Sequence, residues 1–196
     1  MPNEETRQLQ NLSVERLRIL FSDRINDTIV DIVKEWLPFS GQNGISSPII
    51  DVAVGPFAIE ERMVTEYNLL LERARISSFI RHIVNAHIQN LERYNIPRNV
   101  QLLDNFTERQ FTNENSRCFM AIEIEGREDR KVVLADIVNV AAMGRVGVIV
   151  AKTEKVLRIF VRLLYYLWFL QRAGKPTFNT GNVLIITQRQ FRDILR

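Results

Sequence analysis

Cys118 is the only cysteine in the sequence. A lone thiol excludes an internal disulfide framework and fits a reducing, cytoplasmic compartment. It opens an apolar stretch, so its expected role is packing and not nucleophilic attack. The two histidines, His82 and His87, stand five positions apart. Paired zinc ligands on a helix stand about four apart, so a helical zinc motif is not expected. No uninterrupted apolar run is longer than residues 163–170, well short of a bilayer span, and no membrane association is expected. Residues 1–12 are polar, which argues against a secretory leader. The chain also lacks a glycine-rich phosphate loop, internal repeats and low-complexity segments. With 46% hydrophobic and 25% charged residues over 196 positions, it is expected to form one globular domain with a substantial core.

The most informative stretch is Phe-Met-Ala-Ile-Glu-Ile-Glu at 119–125. In a strand, alternate side chains share a face, so Glu123 and Glu125 should project together. Adjacent anions repel unless a cation, a proton or solvent separates them. A second strand-like run, Ser-Pro-Ile-Ile-Asp-Val-Ala-Val at 47–54, carries Asp51 among branched apolar residues. Burial there would demand a partner for its charge. If the two strands are neighbours, three acids converge on one sheet edge, an arrangement suited to a hard divalent cation such as Mg²⁺. The plain alternative for Glu-x-Glu is a solvated strand end.

Charge is distributed unevenly about a net +3. Residues 1–126 hold 13 basic and 18 acidic side chains, whereas residues 127–196 hold 13 and 5. An acidic cluster followed by a basic segment suits a polyanionic substrate whose chemistry needs a metal.

Helical spacing of apolar residues from Val14 to Trp36 predicts one long helix, N-capped by Ser13 and stopped by Pro38. Its other face would carry Asp23, Asp27, Asp31 and Glu35, a stripe read as solvated unless Asp27 or Asp31 turns toward the metal edge. After the Asp51 strand, residues 59–94 read as helical. Residues 98–117 read as a polar loop with a short strand at 100–103. A helix over 132–143 is expected to close on Gly144 as its C′ residue. Residues 146–151 form a strand buried on both faces, and 155–173 an apolar helix. A last strand at 182–187 and a short helix at 190–195 complete an α/β pattern, a central mixed sheet flanked by helices.

This order resembles the PD-(D/E)XK nuclease superfamily, the restriction-endonuclease-like fold. The resemblance rests on Pro48-Ile49-Ile50-Asp51, on Ile122-Glu123-Ile124-Glu125, and on the helix and buried strand spanning 134–151. It covers most of the chain as a single nuclease-like domain, with residues 58–96 or so as a helical insertion. Two isoleucines separate the proline from Asp51, the lysine of the usual motif is replaced by Glu125, and Asp104 is a rival for the first acid.

The resemblance implies Mg²⁺- or Mn²⁺-dependent hydrolysis of phosphodiester bonds in nucleic acid, with DNA as the expected substrate. Asp51 and Glu123 would ligate the metal. Glu125 would bind a second ion or orient the attacking water. Lys131 or Arg145 would approach from the next element, and Arg127, Arg130, Lys131 and Arg145 would hold backbone phosphates. A second reading is a nuclease-fold protein that no longer cuts and serves as a nucleic-acid-binding or assembly module. The helix over 155–173, with aromatic residues on successive sides, would then be either central to the core or half of a homodimer interface. An enzyme acting on a small phosphorylated molecule is a third reading.

Overall fold

The computed structural model describes residues 4–22, 25, 28–40, 44, 46–58, 61–96 and 111–196. Its elements are α1 (Glu4–Leu20), β1 (Ile32–Trp36), β2 (Ile50–Val54), α2 (Val64–Glu72), α3 (Ala74–Arg93), β3 (Cys118–Glu125), α4 (Arg130–Met143), β4 (Gly144–Ala151), α5 (Glu154–Arg172), β5 (Val183–Thr187) and α6 (Gln188–Ile194). The strands form one mixed sheet in sequential order. β1, β2 and β3 pair antiparallel, and β3, β4 and β5 pair parallel. Parallel neighbours need crossovers, which α4 and α5 provide.

Alternation along the strands sorts the core into two layers. Val52, Ile122, Val148, Val150 and Ile186 face one side, where α1, α2, α3 and α6 bring Leu17, Tyr67, Ile83 and Phe191. Ala53, Ala121, Ile149 and Ile185 face the other, under α4 and α5. Every residue of β3 and β4 is buried, as a central strand covered on both faces requires. α5 is not apolar all round, contrary to expectation, but buries a single stripe. Phe160, Val161, Leu164 and Trp168 are covered, while Tyr166 and Phe169 remain more than half exposed. Among the described residues, no helix is long and apolar enough to cross a membrane.

Three further expectations fail here. The long helix over 14–36 is replaced by α1, which ends at Leu20, and by β1. Ile32, Val33 and Trp36 fit a helical period, but they are β-branched or aromatic and find a ladder on β2 (Ile32 opposite Val54), so tertiary pairing decides. Ser13 is therefore not a cap; it is buried in mid-helix, donating its hydroxyl to Leu9 O. Gly144 is not a left-handed C′ residue either, since its backbone is extended (φ −94°, ψ 144°). It is the first residue of β4, and a Cβ there would lie 2.5 Å from Val146 O and 3.0 Å from Ala121 N. The expected strand at 100–103 lies outside the described residues, as do Asp23, Asp27 and Asp104.

Candidate active site

The antiparallel register ends at Val52–Ile122, which leaves Asp51 and Glu123 next to one another just beyond the last ladder pair. Glu123, between Ile122 and Ile124 of the first layer, leaves the sheet on the α4 side, at the end where the parallel strands finish. The carboxylate of Asp51 is tightly held. Its Oδ2 accepts from Ile124 N at 2.7 Å, and its Oδ1 accepts from Gln10 Nε2 of α1 at 2.8 Å. Burial pushes the Asp51 carboxyl above its usual range, against these donors, which favour the anion.

Glu123 is 6% exposed. Burial first, then the negative charges of Asp51 and Asp136, raise its carboxyl well above the ordinary carboxylate range. The two carboxyl groups lie side by side, so each anion disfavours the other and a proton is held more tightly there than on a free carboxyl.

Asp136 joins this pair from α4. It occupies the helix's buried stripe between Val133 and Val140, and its Oδ2 is buried with no hydrogen-bond partner. Burial, reinforced by the charge of Glu125, lifts its carboxyl to about 7. Gln10 is completely buried, and its Oε1 also lacks a partner, although its amide nitrogen is committed to Asp51. An amide oxygen and a carboxylate oxygen left bare in the interior carry a desolvation penalty that a ligand could relieve.

Glu125 shares the face but not the arrangement. Its Oε1 accepts from the backbone N–H of Gly126 at 2.7 Å and of Arg127 at 2.6 Å. Its Oε2 accepts from Arg127 Nε and Nη2 at 2.9 and 2.7 Å. This bidentate grip, with the guanidinium itself largely exposed, saturates the carboxylate within its own loop. Consistent with that, no three described His, Cys, Asp or Glu side chains are spaced as a ready-made metal cage.

Two of the three expected ligands, Asp51 and Glu123, are therefore adjacent, and the third is held aside by Arg127. The basic residues divide more sharply. Arg127, Arg130 and Lys131 are exposed around the start of α4, where Asp129 caps the helix by accepting from Lys131 N. Arg145 does not belong with them. It sits at the opposite end of β4, 6% exposed, with Nη2 donating to Asn68 Oδ1 at 2.9 Å, so it can neither serve the acids nor meet a phosphate. Asp31 is exposed and stays outside the acidic group. His87 is buried and neutral, with burial lowering its pKa to about 4, and its Nδ1 accepts from Ile185 N.

The residues that sequence reading missed are Gln10, Asp136 and Lys152. Asp136 left a signal: it fills the i+3 place of an apolar stripe, Val133, Ile137 and Val140, where an acid is out of pattern. Gln10 left none, because residues 1–12 read only as a polar segment before the first apolar run. Lys152 follows β4, its backbone N–H donating to Glu125 O at 2.9 Å. Its stem lies over Gly126, and its ammonium binds Glu5 Oε2 at 2.9 Å and Thr6 Oγ1 at 3.2 Å. Comparisons of the chain with protein-family models, with curated proteins and with solved structures yield no match.

Proposed function

We propose that the chain is a metal-dependent nuclease of restriction-endonuclease-like architecture, hydrolysing phosphodiester bonds in DNA. The observation that carries this reading is the Asp51–Glu123 pair, with the bare oxygens of Gln10 and Asp136 beside it. Hard oxygen donors in this combination fit Mg²⁺ or Mn²⁺, which take a few carboxylates and neutral oxygens together with water. Apart from the added strand β1, the order on which the resemblance rests supports this reading: a helix, the Asp51 strand, inserted helices, the Glu-x-Glu strand, a crossover helix and a parallel strand.

A bound cation would supply positive charge against the phosphate and acidify a water. Asp51 and Glu123 would hold it, with Gln10 Oε1 as a neutral donor and Asp136 next to the attacking water. Cation and protons would compete for the raised carboxyl groups, so affinity should rise with pH. Arg127, Arg130 and Lys131 would hold the strand by its phosphates, which orients it without reading bases. The hold of Arg127 on Glu125 favours a second reading, a binding module that retains the fold without cutting.

The test is incubation of plasmid DNA with the protein and Mg²⁺ or Mn²⁺. Cleavage that disappears in Glu123→Gln, with the fold retained by circular dichroism, supports hydrolysis. Binding without cleavage in either metal would leave the second reading.

A further inference from the structure

Beyond the acidic site, the same rim of the sheet carries a basic cleft that no part of the hydrolytic reading uses. Glu125, Ala151 and Thr187 stand in one row across β3, β4 and β5. The chain therefore leaves the sheet side by side at Gly126, Lys152 and Gln188. Between the last two and α6 lies a cleft of about 690 Å³ lined by Lys152, Arg189, Arg192, Asp193 and Arg196. Glu5 neutralises Lys152 at 2.9 Å. Asp193 faces Arg196 at 3.2 Å and Arg189 at 4.0 Å, and Glu5 also acts on Arg192, so four basic groups stand against two carboxylates. Arg189 and Arg196 are 93% and 80% exposed. Arg192 is half-buried, and its Nε is covered without donating to any hydrogen-bond partner. A concave wall carrying excess positive charge concentrates field on whatever anion enters it.

We propose that this cleft is a second phosphate subsite, holding the backbone of the nucleic-acid strand downstream or upstream of the scissile bond. The proposal rests on the nuclease reading for its choice of ligand. Two strand spacings, about 10 Å, separate Glu125 from the start of α6. That span corresponds to about three nucleotides of duplex rise. A backbone lying along the rim would run from the acids of β2 and β3, past Arg127 and Arg130, and on across the end of β4 to Arg192 and Arg196 beyond β5. The carboxyl ends of parallel strands are where open α/β sheets place their ligands. Asp193 sets the resting arrangement of the arginines, and phosphate oxygens would replace its carboxylate as their partner.

The test is fluorescence anisotropy of a labelled DNA duplex about 20 base pairs long, titrated at several salt concentrations in EDTA. Arg192→Ala combined with Arg196→Ala is expected to weaken binding about tenfold and to lower the salt slope by about 0.9 for each phosphate no longer neutralised. Asp193→Asn is expected to tighten binding about threefold at low salt, a gain that misfolding cannot imitate. Thermal melting accompanies both variants. Unchanged affinity and slope in the arginine variant, or no gain in Asp193→Asn, would overturn the subsite. Cleavage of plasmid by the same preparations is scored separately. Wild-type cleavage together with unaltered variant binding removes the subsite and keeps the nuclease. Altered variant binding without wild-type cleavage keeps the subsite and removes hydrolysis.

Discussion

The two ends of the parallel strands carry buried polar clusters of opposite character. At the amino end, Asn113 and Asn182 hold the junction where α4 runs into β4 without a loop. Asn182 Nδ2 donates to Ala141 O at 3.0 Å and Gly144 O at 2.9 Å, and Asn113 Nδ2 reaches the same two carbonyls and Ala142 O. These are neutral donors aimed at carbonyls that a terminating helix would otherwise leave bare. At the carboxyl end, Asp51, Glu123 and Asp136 are acceptors in excess of donors, and their burial is resisted by charge. One cluster completes the fold. The other holds a deficit of positive charge.

The sharpest way to break the contrast is substitution at Glu123. Glu123→Gln should reduce metal-dependent cleavage by about 10²–10³-fold or more while leaving stability equal or higher, because a buried amide cannot ionise beside Asp51. A variant that unfolds instead would make the carboxyl end as structural as the amino end. The mirror experiment is Asn182→Ala, which should cost about 1–2 kcal/mol in denaturant unfolding by removing one of the two amide donors on these carbonyls, with cleavage per folded molecule unchanged.

Asp136→Asn sharpens the comparison through pH. The Asp136 carboxyl is raised to about 7 in the fold. Between its ordinary value near 4 and that value, the folded state binds a proton that the unfolded chain releases. The charge therefore costs nothing below about pH 4 and its full penalty only above about pH 7. Asp136→Asn should gain about 4 kcal/mol at pH 8 and almost nothing at pH 4, as measured by thermal melting across that window.

Added Mg²⁺ or Mn²⁺ should raise the melting temperature at pH 8 more than at pH 5, since protons and cation compete for the same oxygens. Gln10→Ala should weaken that response about tenfold in metal concentration. The smallest effect belongs to Arg145→Lys, which should leave DNA affinity unchanged. A loss there would mean that the amino end also meets the substrate.

Much of this arrangement was legible beforehand, and for a physical reason. Strands buried on both faces are written as unbroken branched apolar runs, so 146–151 and the acid-bearing 119–125 stood out, and so did Asp51 between isoleucine and valine. Period and burial are local properties of a segment. The error over 14–36 had the opposite origin: a dense apolar stretch satisfies two periods at once, and only the partner strand selects one. Arg145 was misplaced because sequence shows that a residue lies on β4 but not which end of the sheet the chemistry occupies.

From its amino-acid order alone, this protein was committed to an α/β sheet carrying acids on two of its strands, because alternation and charge are readable residue by residue. Only folding decided which oxygens meet. The antiparallel register set Asp51 against Glu123, the crossover helix lowered Asp136 onto them, and α1 returned across the rim to deliver Gln10. Such meetings depend on distances between segments remote in the chain, and no local pattern encodes them.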